Sequence, residues 1–163
     1  MDFVNLVSQF RNALLVCIDA DLHYMTNLRD FDDFPEGCCD LTSHLLGKFL
    51  IDNGVSGVYL KYVNLAEHIK RPNSFSDVFG HEWCCIGKHK GRRWHLDLTA
   101  HQFDFVTDEI IISSESNSWH EQLLSLVEDN QGEFGDRDPL LNIAGLSQFY
   151  DEILKVFYMQ RST

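Results

Sequence analysis

Positive charge is scarce in this chain. Only 13 Lys and Arg stand against 25 Asp and Glu, a formal net charge of −12 with neutral histidines. Nucleic-acid affinity comes mainly from Lys and Arg neutralising phosphates, so no nucleic-acid partner is expected. The same shortage argues against an anionic membrane surface. No stretch approaches the ~20 apolar residues that a membrane span needs. Prolines number only 3, and no repeat, low-complexity tract or Pro/Gly-rich linker divides the chain. Residues 1–163 are therefore expected to form one domain, close to the usual ~100–150 residues. The opening Met1-Asp2-Phe3-Val4-Asn5 carries neither the cationic region nor the small-residue cleavage site of a signal peptide. The five cysteines (Cys17, Cys38, Cys39, Cys84 and Cys85) are odd in number and lack the spacing of a disulfide framework, which points to a reducing compartment. The expected location is cytoplasmic, or exported without a cleavable signal.

What is present suffices for a core: 44% of residues are apolar and 12% aromatic, which excludes a disordered tail. Phe3, Val7, Phe10, Leu14 and Ile18 recur at spacings of three and four, predicting an amphipathic helix over residues 3–22. Residues 30–36, with Asp30, Asp32, Asp33 and Glu36 beside Pro35 and Gly37, read as a solvated acidic loop. From Cys39 to Asn53 the residues Leu41, Leu45, Leu46, Phe49 and Leu50 keep helical period, and Gly54 supplies a C-terminal cap. Cys38 and Cys39 thus fall at the amino end of a buried helix. A strand is predicted over 55–63 and a polar surface loop over 65–80. A short β-rich run follows at 108–113. Ser118 with Glu121 forms a capping-box pattern ahead of a helix bearing Leu123, Leu124, Leu126 and Val127. Ser147 begins a last helix that turns Phe149, Ile153, Val156 and Phe157 inward. The order of elements defines an α+β domain.

Two further strands, 81–86 and 92–98, flank Gly87-Lys88-His89-Lys90-Gly91, a hairpin signal with a three-residue tip. Symmetry about His89 sets His81 opposite Asp97, Trp83 opposite His95 and Cys85 opposite Arg93. Opposed side chains have Cβ atoms ~4.5–5.5 Å apart, within reach of a His–Asp hydrogen bond. A one-residue slip destroys the pairing. A thiol becomes a nucleophile when its pKa falls, and unpaired N–H groups at a helix amino terminus promote this. The same N–H groups stabilise a developing oxyanion. A histidine takes or shares the proton, and a carboxylate fixes its tautomer. Cysteine at a helix start, histidine opening a strand and aspartate on the next strand supply all three parts.

The string Gly37-Cys38-Cys39, a helix ending at Asn53-Gly54, His81-Glu82-Trp83 and Asp97-Leu98-Thr99 resembles the transglutaminase-like branch of the papain-like cysteine hydrolases. That branch shows Gly-x-Cys, His-x-Trp and Asp-x-Thr. Phe34-Pro35-x-Gly37-Cys38-Cys39 with Asp97-Leu98-Thr99-x-x-Gln102-Phe103 is similar to small microbial members of the group. The resemblance covers residues 34–103. It implies a papain-like/transglutaminase-like fold with the nucleophile at the amino end of a core helix packed on a small antiparallel sheet. It also implies a Cys-His-Asp triad acting on amide bonds of a protein or peptide. Gly-x-Cys maps onto Cys39 as nucleophile, with His81 as base and Asp97 as orienter. Gly37, Cys38, Trp83 and His95 become neighbours of the site. No Gln stands a few residues before Cys39 to serve as papain's oxyanion donor, so backbone N–H groups are expected in that role.

The activity implied is cysteine-dependent amide hydrolysis, peptidase or glutamine deamidase, through a thioester. Transglutaminase-type acyl transfer and a non-catalytic acidic module that keeps the fold and binds a basic partner are the alternatives. An effector modifying glutamines of a host is a sub-case of the enzyme reading. Specificity is assigned to loops 65–80 and 100–107. No cofactor is expected. Zinc on Cys38, Cys39, Cys84 and Cys85 is disfavoured because adjacent cysteines diverge, unlike Cys-x-x-Cys. Trp83 and Trp94 read as core aromatics, and His44, His68, His89, His95, His101 and His120 mostly as surface or hairpin residues, with His95 on the strand face of Asp97. Oligomeric state has no signature in the sequence.

Overall fold

The computed structural model describes residues 2–89 and 91–162. It is an α+β arrangement of four helices and one five-stranded antiparallel sheet. The helices are α1 (Phe3–Asp19), α2 (Cys39–Asp52), α3 (Trp119–Asp129) and α4 (Leu146–Arg161). The strands are β1 (Val58–Asn64), β2 (Gly80–His89), β3 (Arg92–Asp97), β4 (Ile111–Ser113) and β5 (Glu133–Arg137), in spatial order β4-β3-β2-β1-β5. No described helix is long and apolar enough to cross a membrane.

The period-2 alternation of the central strands divides the core in two. Leu60, Cys84, Ile86 and Leu96 point to one face and pack under α1, α2 and α4. Val63, Trp83 and Cys85 point to the other and meet Leu123 and Val127 of α3. Helix α1 follows its periodicity: Phe3, Val7, Phe10 and Leu14 are buried, Ile18 is half-buried, and the Asp2 side chain caps the first turn by accepting from Val4 N–H at 3.1 Å. Phe10, Phe49 and Phe157 join α1, α2 and α4, with ring centroids 5.0 Å (Phe10–Phe49) and 4.8 Å (Phe49–Phe157) apart. Ser118 caps α3 by accepting from Glu121 N–H at 3.3 Å, as its capping-box pattern predicts.

Four expectations change. The acidic segment keeps Asp30, Asp32, Asp33 and Glu36 exposed but is not a plain loop: Arg29–Phe31 is a short 3-10 turn whose Phe31 is fully buried against Phe149. Residues 65–80 contain the 3-10 turn Asn73–Phe75 and bury Leu65, Phe75 and Val78 under the second core, so this segment is a packed connection. Strand β5 was not expected, because Glu133-Phe134-Gly135-Asp136-Arg137 has no apolar alternation; it pairs with β1 at the sheet edge. The hairpin register also differs. Cys85 lies opposite His95, not Arg93, and Cys84 lies opposite Leu96. Strand β2 runs on to His89, which pairs with Arg92 instead of forming the centre of the turn, and a one-residue irregularity between Ile86 and His89 leaves a net displacement of two residues from the expected pairing. The expected three-residue tip includes Lys90, which lies outside the described residues.

Phe49→Ala is expected to lower stability by about 3–5 kcal/mol, since it empties a fully buried three-ring contact. Val16→Ala on the exposed side of α1 should change it by less than about 0.5 kcal/mol. Urea unfolding midpoints compare the two.

Candidate active site

The centre of the site is one buried carboxylate. Asp97 ends β3, and the turn after it folds back on the side chain. Asp97 Oδ1 accepts from the Thr99 N–H (2.8 Å), the Thr99 hydroxyl (3.1 Å) and the Ala100 N–H (3.0 Å). The Asp-x-Thr spacing is therefore a local clamp that fixes the carboxylate's rotation. Oδ2 faces two imidazoles: His81 Nε2 lies 2.6 Å away and His120 Nε2 2.8 Å away. Burial alone would raise the pKa of Asp97, but His81 and the hydrogen bonds of both histidines hold it well below its usual value.

The two-residue register change keeps every side chain on its predicted face. His81 reaches Asp97 diagonally, and His95 lies on that same face. His81 is buried among Trp83, Phe103, Trp119 and His120, with ring centroids 5.7, 5.0, 5.7 and 6.4 Å away. Burial disfavours its charged form. The charge and hydrogen bond of Asp97 outweigh that, Cys39 adds to the effect, and the pKa of His81 rises to about 10. With Nε2 engaged by Asp97, Nδ1 has no hydrogen-bond partner of normal geometry among the described residues.

Cys39 is the first residue of α2 and, alone among the five cysteines, is partly exposed. It lines a cleft of about 190 Å³ together with His81, Asp40, Tyr62, Glu82 and Arg137. The N-cap residue Cys38 makes no side-chain cap bond; of the first-turn N–H groups, that of Leu41 donates to Asp40 Oδ1 at 2.7 Å, while those of Cys39 and Asp40 have no side-chain acceptor among the described residues. Gly37, with φ +69°, turns the chain into α2. Its N–H is 3.4 Å from Gln102 Oε1, while Gln102 Nε2 donates to the Thr99 carbonyl at 3.0 Å. Gln102 thereby ties the segment before Cys39 to the turn that clamps Asp97.

The remaining predicted neighbours divide: Trp83 stacks on the His81 ring, while Cys38 and His95 bond elsewhere. Cys38 is buried, donates to the Pro35 carbonyl at 3.3 Å, and is pushed up to about 12 by burial. Burial also raises Cys17 to about 11 and Cys85 to about 12, and holds Cys84 well above its usual value. Trp83 is fully buried and donates from Nε1 to His95 Nδ1 at 2.9 Å. His95 makes no hydrogen bond to Cys39, His81 or Asp97. It bonds Glu121 at 2.8 Å and stacks on His120 with centroids 5.2 Å apart. Arg93 pairs with Glu121, not with Asp97.

His44 and His120 are buried, contrary to their surface assignment, and His95 is buried on the strand face of Asp97 where it was expected. His120 is the functional candidate that sequence reading missed. It is brought to Asp97 by α3, from outside the 34–103 stretch, and its only local signal is its place two residues after the Ser118 cap. Burial lowers its pKa, and the charge of His81 lowers it further against the opposing pull of Asp97, whose Oδ2 its Nε2 meets at 2.8 Å. His81, Asp97 and His120 are also the one group among the described residues whose ligand atoms lie close enough for a metal ion, within 4.8 Å. They are already hydrogen-bonded to one another, and no cysteine belongs to the group.

No family model, curated protein or solved structure matches this chain.

Because the folded-state pKa of His81 is raised, its pair with Asp97 stabilises the fold fully below about pH 6.5, and that stabilisation is lost as pH rises through about 10. Wild-type urea stability should therefore fall across this window by up to ~1.4 kcal/mol per pH unit more than that of Asp97→Asn. On the acid side, the depressed pKa of Asp97 means the pair weakens as pH drops below about 4. His120→Ala should cost about 2–4 kcal/mol in the same assay, and His120→Gln, which keeps a donor, markedly less.

Proposed function

We propose that the protein is a cysteine-dependent amide hydrolase of papain-like/transglutaminase-like type, with Cys39 as nucleophile, His81 as base and then acid, and Asp97 as orienter. The observation that carries this reading is the buried 2.6 Å His81–Asp97 bond together with a cleft that His81 shares with a partly exposed thiol at the start of a helix. The raised proton affinity of His81 suits it to hold the proton that the thiol gives up.

In this mechanism the proton of the Cys39 thiol passes to the free ring nitrogen, Nδ1, of His81. The sulfur attacks the carbonyl carbon of an amide, and the oxygen that gains charge is met by N–H groups at the amino end of α2. The tetrahedral intermediate collapses as His81 returns the proton to the departing nitrogen, leaving an amine or ammonia and a thioester on Cys39. A water then gives its proton to His81 and attacks the thioester carbon. The acid is released and the thiol regenerated. Asp97 keeps the imidazole oriented throughout and stabilises its charged form.

Mass spectrometry of candidate proteins and peptides after incubation tests this reading and separates its outcomes. A gain of about one mass unit means deamidation, a cut chain means proteolysis, and a cross-link means amine transfer. Cys39→Ala is expected to lower the rate by about 10³-fold or more. Iodoacetamide should label Cys39 ahead of the four buried thiols. Unchanged activity in Cys39→Ala, or equal labelling of all five, defeats the enzyme reading in favour of an acidic binding module.

A further inference from the structure

The cleft at Cys39 holds one charged group that the proposed reaction does not use. Glu82 follows His81 on β2, and its side chain is only 4% exposed although it lines the cleft. Arg137 Nη2 lies 2.6 Å from Oε2 and His44 Nε2 lies 3.6 Å from Oε1, yet neither carboxylate oxygen makes a hydrogen bond of normal geometry among the described residues. Burial raises the pKa of Glu82 to about 7; Arg137 opposes the rise and Asp40 adds to it. A buried carboxylate left short of donors calls for a partner. The neighbours are unequal in their capacity to yield. His44 is buried, and its Nδ1 accepts from the Leu140 N–H at 2.8 Å. Arg137 is 47% exposed, sits on edge strand β5 and rests on the Tyr62 ring at 4.6 Å. Its guanidinium can leave the cleft without uncovering the core.

We propose that Glu82 is the recognition carboxylate for a cationic side chain, lysine or arginine, of a peptide substrate next to the amide attacked by Cys39. This rests on the thiol-hydrolase reading and narrows it to a substrate class. The incoming ammonium or guanidinium takes the place of Arg137 at Oε2 and supplies the missing donors. An anionic side chain meets both Glu82 and Asp40 in the cleft. A neutral apolar one displaces Arg137 and leaves a buried charge unpaired, which is strongly unfavourable.

The test needs no substrate. Three small methanethiosulfonates, carrying an ethylammonium, an ethylsulfonate or an uncharged ethyl group, are reacted with the intact protein. In each case the Cys39 thiolate attacks the sulfenyl sulfur and expels methanesulfinate, and the mixed disulfide is read by mass and located by peptide mapping. At physiological ionic strength charges beyond about 8 Å are largely screened, so the rates report the cleft. The cationic reagent is expected to modify Cys39 about tenfold faster than the anionic one, a preference of the size that one nearby charge produces. Glu82→Gln should reduce that ratio severalfold, whereas Glu133→Gln, which removes an equal charge outside the cleft lining, should leave it within about twofold. Arg137→Gln, a change on an exposed edge, should raise the ratio and serves where Glu82→Gln does not fold. A ratio unmoved by Glu82→Gln and Arg137→Gln, or moved as much by Glu133→Gln, overturns the recognition role while normal labelling by the uncharged reagent leaves the thiol-hydrolase reading standing. Failure of the uncharged reagent to label Cys39 overturns both.

Discussion

A carboxylate removed from water must find donors or take up a proton, and Asp97 meets five donors. Hydrogen bonds to a charged group contribute about 1.5–3 kcal/mol each, enough together to keep the charge in a site with almost no solvent contact. Three of the five come from its own turn and fix which way Oδ2 points. The other two come from His81 on β2 and His120 on α3, so one oxygen joins the strand pair to a helix. The charge on Asp97 in turn sustains the charge on His81 against the cost of burial. Both the fold around the sheet margin and the chemistry open to Cys39 depend on this ionised group.

The two faces of the sheet divide the work. On one, the aromatic and aliphatic side chains of α1, α2 and α4 hold the helix that carries Cys39. On the other, Trp83, His95 and His120 surround the His81–Asp97 pair with rings, and Glu121 anchors the outermost imidazole. Gln102 links the two sides by bridging the turn before Cys39 and the turn after Asp97. A histidine packed among rings has few rotamers available, so its bond to the carboxylate is pre-arranged. The cleft wall is different in kind: Arg137 sits where a side chain can move, on an edge strand, beside the buried Glu82 of the central strand β2.

The hairpin shows how a sequence reading can miss a register and keep a site. The expected pairing was displaced by two residues, which moves each partner along the strand without turning any side chain to the other face. His81 and Asp97 therefore still meet, diagonally. The displacement begins at the tip, where His89 pairs with Arg92, and an irregularity between Ile86 and His89 takes back one residue of it; nothing in Gly87-Lys88-His89 marks either. Strand β5 was unreadable for another reason: an exposed edge strand needs no apolar alternation, since its backbone pairing with β1 supplies the stabilisation. His120 carried no signal because its role arises when α3 is laid on the sheet.

Local properties were written in the chain itself: the amphipathic period of α1, α2 and α4, the caps of α1 and α3, the α+β order, and the Asp-x-Thr clamp, each set by residues within a few positions of one another. Packing across long separations decided the rest. It chose the strand order, buried His44, His95 and His120, withdrew four of five thiols from solvent, and set Glu82 beside Cys39. Periodicity tells which face of an element is apolar, but only the assembled layers determine which polar groups are enclosed with it and which donors they find there.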